Sequence, residues 1–112
     1  MGLHELFDRV ADAAREYGDL IAERGVALGG VAEGTVQAVS RRSKLPEYGA
    51  KTGEWTAHVE AMPTALATLG RSVRHAIDQS NDLKDADTAD LFTEVSRGID
   101  KLLWMVEAHV QA

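Results

Sequence analysis

Apolar residues recur along the chain at helical spacing in three long stretches, separated by short polar or glycine-containing segments. In the first, Leu3, Leu6, Phe7, Val10, Ala13, Ala14, Tyr17, Ile21 and Leu28 fall within roughly 120° of one another at 100° per residue. This spacing predicts a helix over about Leu3 to Leu28, ended by Gly29-Gly30, because glycine accepts the left-handed conformation of a helix C-cap. A short helix is predicted from Ala32 to Arg41, then a loop from Ser43 to Gly53 containing Pro46 and two glycines. Thr52 is placed to cap a third helix, with Glu54 in its first turn and Val59, Met62, Leu66, Leu69, Val73 and Ile77 as its buried stripe. Pro63 falls inside that stripe and predicts a kink or a restart, since it lacks an N–H and its ring crowds the carbonyl four residues earlier. After a loop over Ser80 to Ala86, Asp87 is the predicted N-cap of the last helix and Asp90 lies in its first turn. Phe92, Val95, Ile99, Leu102, Leu103, Val106 and Val110 form its apolar face.

No alternating strand pattern or internal repeat is present, so the expected class is all-α: a helical bundle of three long helices plus one short one. At 112 residues this is one small domain, and partner chains are a natural source of further burial. The chain has no cysteine, which excludes disulfides and thiolate metal sites. With no apolar run long enough for a membrane span and no signal pattern at its start, it is expected to be cytoplasmic, without a membrane partner. Its formal net charge of −6 opposes nucleic-acid binding over the whole surface. Arg41, Arg42 and Lys44, with Lys51 nearby, form the one basic cluster, a type of group that is usually a solvated loop face.

The face of the first helix turned away from its core stripe carries the candidate chemistry. With His4 as zero, Asp8 lies at about 40°, Asp19 at about 60° and Glu23 at about 100°. His4/Asp8 and Asp19/Glu23 each have the i,i+4 spacing that lets two side chains hold one ion. The pairs cannot share an ion within one chain, because Asp8 and Asp19 are about 16 Å apart along the axis. If two copies of the helix cross antiparallel near residues 13 and 14, His4 and Asp8 of one chain meet Asp19 and Glu23 of the other. Ala11, Gly18 and Ala22 lie on the same face and permit the close approach. Oxygen ligands with one nitrogen suit iron(II) or manganese(II), and zinc is also compatible. The competing reading is a solvated acidic face in which Arg15, at about 20°, pairs with Asp8 or Asp19. His58 and His75 read as exposed helix residues and His109 as a helix C-terminal residue; Trp55 and Trp104 read as packing residues, with an interface an alternative for Trp104.

These residues resemble the Dps family, the ferritin-like starvation-protection proteins. The stretch "LHELFDRVADAAREYGDLIAERGVALGGVAEGT" looks like that family's second helix, which carries its ferroxidase ligands. "RRSKLPEY" resembles its central connection and "DADTADLFTEVSRGIDKLLWMVEAHVQA" its last helix. The resemblance implies a ferritin-like bundle that assembles as a dodecamer, oxidises iron(II) (Fe2+) preferentially with peroxide, stores the ferric (Fe3+) product and, in many members, coats DNA. On matching positions the ligands are His4 and Asp8 from one subunit and Asp19 and Glu23 from its two-fold partner. Asp87 and Asp90 resemble acidic residues near the iron-entry pore, and the short helix lies in the long crossover. Measured against the family pattern, the chain is expected to be N-terminally truncated: a preceding helix with a further histidine ligand beside a tryptophan, and a lysine-rich tail that holds DNA, have no counterpart. Two other readings follow: a nucleoid-associated DNA-compacting protein without ferroxidase activity, and an inactive fragment acting as a helical association module.

Overall fold

The computed structural model describes residues 1–49 and 55–111, excluding the side chains of residues 110 and 111. Four helices form: α1 (Leu3–Ala27), α2 (Val36–Arg42), α3 (Trp55–Asp82) and α4 (Ala86–Gln111). The described residues contain no strand, and the predicted three long helices and one short helix are all present. The Thr52 cap and Glu54 lie outside the described residues.

Helices α3 and α4 form an antiparallel hairpin across a three-residue turn, and α1 runs opposite to α4, with Arg24 beside Thr88 at the start of α4 and Leu6 beside Met105 near its end. Their common core is Leu6 and Val10 from α1, Leu66 and Val73 from α3, and Val95, Ile99 and Val106 from α4. All seven come from the stripes read in the sequence. Burying a Val, Leu or Ile side chain contributes about 1.5–3 kcal/mol, so this seam is what sets the three helices against one another. Leu28 departs from expectation and is 58% exposed. Arg24 already reaches Thr88 and Asp85 at the start of α4, so a residue one turn further along α1 has passed the end of its neighbour.

The helix ends explain most differences in boundaries. At the end of α1, Gly30 N–H donates to the Gly25 carbonyl (2.8 Å) and Gly29 N–H to that of Val26 (2.9 Å), with Gly29 at φ 93°. This paired-bond stop is the one that Gly29-Gly30 predicts. Helix α2 starts at Val36, not Ala32, because the Thr35 hydroxyl accepts from Ala38 N–H at 3.2 Å and fixes the first turn there. Ala38, 3% exposed, is its one buried residue.

Pro63 does not restart α3, which is one helix through it. Val59 and Leu66, on either side of the proline, are buried in the fold, and tertiary burial here outweighs the missing hydrogen bond. The predicted Ser80–Ala86 loop shrinks to Leu83, Lys84 and Asp85. Asp85 N–H donates to the Ser80 carbonyl and Lys84 N–H to that of Asn81, both at 2.9 Å, so α3 ends in the same paired-bond stop as α1. Lys84, at φ 58°, occupies the left-handed position that glycine fills at the end of α1.

The N-cap of α4 is Asp85, not Asp87. Its Oδ1 accepts from Thr88 N–H at 3.1 Å and its Oδ2 from the Thr88 hydroxyl at 2.6 Å. Asp87 falls in the first turn, where a carboxylate favours the positive end of the helix dipole. Trp55 and Trp104 are not core residues: they are 63% and 66% exposed.

Candidate metal centre

Helix α1 presents two faces. Leu6 and Val10 are buried, and Phe7, Tyr17 and Ile21 are partly buried against the same core. On the opposite face, His4, Asp8, Asp19 and Glu23 are all exposed. This follows from the pattern: once the stripe is fixed against α4, residues roughly opposite it point away from the fold.

His4 Nε2 lies 3.6 Å from Asp8 Oδ2, one helical turn along, with side-chain exposures of 95% and 68%. These exposures leave the pair accessible to an ion or to a second chain. Asp19 and Glu23 share the next part of the face at the same i,i+4 spacing. Among the described residues, no three His, Cys, Asp or Glu side chains come close enough together to hold a metal ion. A four-ligand site built from these residues therefore needs both pairs, and the pairs meet only if a second molecule supplies one of them.

Arg15 does not take the partners expected of it. It bonds Asp12 Oδ1 at 3.1 Å, three residues back on the same face, and not Asp8 or Asp19. Asp12 and Arg15 stand exposed between the His4/Asp8 and Asp19/Glu23 pairs, but on the same face Ala11 and Ala22 are partly buried and a Cβ built on Gly18 meets nothing within 4 Å. Helical axes approach more closely where side chains are this small.

On the core side of α1, Tyr17 crosses α4 at Gly98, where a Cβ would overlap the phenol. The close crossing accounts for a glycine inside a helix, where it is otherwise unfavourable. Burial pushes the Tyr17 phenol up, with further contributions from Glu16 and Glu94. At the far end of α1, Arg24 donates to Thr88 Oγ1 (2.9 Å) and Asp85 Oδ1 (3.2 Å), tying α1 to the turn between α3 and α4. The Thr88 hydroxyl and N–H, then Arg24, hold the Asp85 carboxyl below the usual carboxylate range.

Asp87 and Asp90 are exposed on the first turns of α4. Arg41 and Lys44 are also exposed, while Arg42 pairs with Glu33 at 3.3 Å. His75 is exposed, as predicted, and His109 lies in the last turn of α4. His58 is not the exposed residue expected: it is partly buried, 2.7 Å from the Tyr48 hydroxyl, with its ring against Phe7. Spacing within one helix gives no sign of this pair, because its members come from different segments. No described helix is long and apolar enough to cross a membrane.

A family model described as the ferritin-like domain matches residues 1–112. The chain is 42% identical over 111 residues to a "DNA protection during starvation protein" of Agrobacterium fabrum, covering 99% of this chain and 68% of that protein. It is 28% identical over 112 residues to a protein of the same name from Mycolicibacterium smegmatis, of which it spans 61%. Among solved structures, a mutant of Mycobacterium smegmatis Dps1 superposes with a TM-score of 0.88 at 29% identity, over 96% of this chain and 72% of that one. A bundle of this helix order, with sequence likeness along its whole length, belongs to the Dps family of ferritin-like proteins.

Proposed function

We propose that the chain is the subunit of a Dps-type mini-ferritin that oxidises iron(II) and stores the ferric product, as a homo-oligomer with its metal site between two-fold-related subunits. The observation that carries this reading is the exposed face of α1, where two ligand pairs lie too far apart for one chain to use both. An antiparallel crossing of two α1 helices brings His4 and Asp8 of one subunit to Asp19 and Glu23 of the other. Iron(II) is the substrate. The carboxylates bind it and favour the harder ferric ion, and His4 contributes the nitrogen donor. Peroxide accepts the electrons, so iron and oxidant are removed together. This is the chemistry that would protect DNA, the role in the names of the Agrobacterium and Mycolicibacterium relatives. The assembly is a dodecamer, as the Dps resemblance implies, and its setting is cytoplasmic.

Stopped-flow oxidation of iron(II) by peroxide tests the reading. The chain accelerates oxidation over the protein-free control, and Asp19→Ala with Glu23→Ala removes the acceleration while helical circular dichroism is kept. A rate equal to the control, or one indifferent to the double substitution, overturns it. Light scattering after size exclusion reads the assembly directly, and a monodisperse monomer would remove the shared site. A second reading, DNA compaction by the assembled shell, is favoured by the exposure of Arg41 and Lys44. Such binding weakens as salt rises, and affinity that is constant across a salt series contradicts it.

A further inference from the structure

Tyr48, in the segment after α2, meets His58 in the second turn of α3. The Tyr48 Oη lies 2.7 Å from His58 Nδ1, and the ring centroids are 5.5 Å apart with planes tilted by 31°. On its other side His58 meets Phe7 of α1 in an edge contact, with centroids 6.4 Å apart. Phe7 directly precedes Asp8, so the cluster is joined to the helix that carries the proposed iron ligands.

A phenol that loses one electron becomes a strong acid, so its oxidation is easy only where a base takes the proton in the same event. Neutral imidazole protonated on Nε2 accepts at Nδ1, and 2.7 Å is a proton-transfer distance. Burial pushes the Tyr48 phenol up, so at neutral pH the proton sits on Oη, where a relay needs it. The chain has two tyrosines. Tyr17 packs on Gly98, its phenol pushed up by burial and by the charges of Glu16 and Glu94, with no base bonded to its hydroxyl among the described residues. Tyr48 is 37% exposed and within reach of a diffusing oxidant.

We infer that Tyr48 and His58 form a proton-coupled one-electron relay that reduces hydroxyl radicals escaping from the iron–peroxide reaction. The source of the radicals rests on the iron-oxidation reading; the relay itself does not. When peroxide takes a single electron from iron(II), it gives iron(III), hydroxide and a hydroxyl radical. That radical takes one electron from Tyr48 and becomes hydroxide, while the Oη proton moves to His58 Nδ1. The products are a neutral tyrosyl radical and an imidazolium, and the imidazolium proton then neutralises the hydroxide to water. A further iron(II) ion returns the electron to the tyrosyl radical with a proton from solvent, giving iron(III) and the original phenol. The net reaction is one hydroxyl radical, one proton and one iron(II) converted to water and iron(III).

Pulse radiolysis of the full chain with azide radicals, which oxidise tyrosine and tryptophan without any metal, tests the relay. The expected result is a tyrosyl absorption that Tyr48→Phe largely abolishes and Tyr17→Phe leaves in place. His58→Gln keeps a hydrogen-bonding side chain but removes the base, so tyrosyl formation slows and loses its deuterium solvent isotope effect. Circular dichroism confirms that each variant retains the wild-type helix content. Equal tyrosyl yields from wild type and Tyr48→Phe, or formation kinetics unchanged by His58→Gln, overturn the proposal. Freeze-quenched electron paramagnetic resonance after mixing with iron(II) and peroxide adds a second arm. A Tyr48-dependent radical from azide, with no iron oxidation in this arm, leaves the relay standing and rejects the iron reading alone.

Discussion

Asp85 joins three parts of the molecule through one residue: its N–H closes α3, its carboxylate opens α4, and Arg24 of α1 binds the same carboxylate. These bonds favour the charged form, so its folded pKa lies below its unfolded one. The linked stability is therefore complete above the usual carboxylate range and fades as pH falls through the depressed folded value. Melting temperatures measured from neutral to strongly acidic pH should show Asp85→Ala less stable than wild type at neutrality, with the two curves converging at the acid end. Curves that stay parallel would exclude a contribution from the ionised carboxylate. Lys84 carries the opposite kind of lesson, a side chain held at φ 58° where glycine is at ease. Lys84→Gly should raise stability by up to about 1 kcal/mol in urea unfolding. A capping residue ahead of α4 is legible in the run Asp85-Ala86-Asp87, but not which aspartate caps. Both have the right chemistry, and the choice is made by the backbone stop of α3, which sequence spacing does not reveal.

Two kinds of helix glycine separate at the scale of elements. Gly98 gives room to Tyr17, whereas a Cβ at Gly25 meets nothing within 4 Å. Gly98→Ala should therefore destabilise by about 1–3 kcal/mol through overpacking. Gly25→Ala should stabilise by roughly 0.5–1 kcal/mol through helix propensity. Chemical denaturation measures both, and a gain from Gly98→Ala would mean that the Tyr17 ring swings clear of α4. The sequence shows Gly98 as a poor helix residue; its purpose becomes visible only when α1 is laid across α4. The apolar stripes of α3 and α4 are legible for a simpler reason. Each is continuous, and the two face each other across a three-residue turn, so helical period alone identifies Val59, Leu66, Val73, Val95, Ile99 and Val106. Pro63 misleads because the rule against an interior proline is local, while burial of Val59 and Leu66 is not.

For the whole molecule, the consequential surface is the outward face of α1. The types and spacing of its proposed ligands are legible, since they follow from a fixed helical period. Whether they converge on one ion is not, because convergence depends on a second chain. Gly18 separates these cases. In an isolated subunit Gly18→Ala has open space and should stabilise α1 by roughly 0.5–1 kcal/mol. In the proposed crossing the added methyl lies between subunits, so light scattering should show weaker association and stopped-flow slower iron oxidation.

Trp55 and Trp104, both largely in water, have a practical consequence. Unfolding a lone subunit moves its indoles from one wet setting to another, so their emission should change little as the helices melt. Contact between subunits over either indole removes water and moves the emission to the blue. The chain thus carries a native fluorophore for the gathering of copies, largely blind to the folding of each. Dilution followed by fluorescence, beside circular dichroism, can separate the two events without a dye.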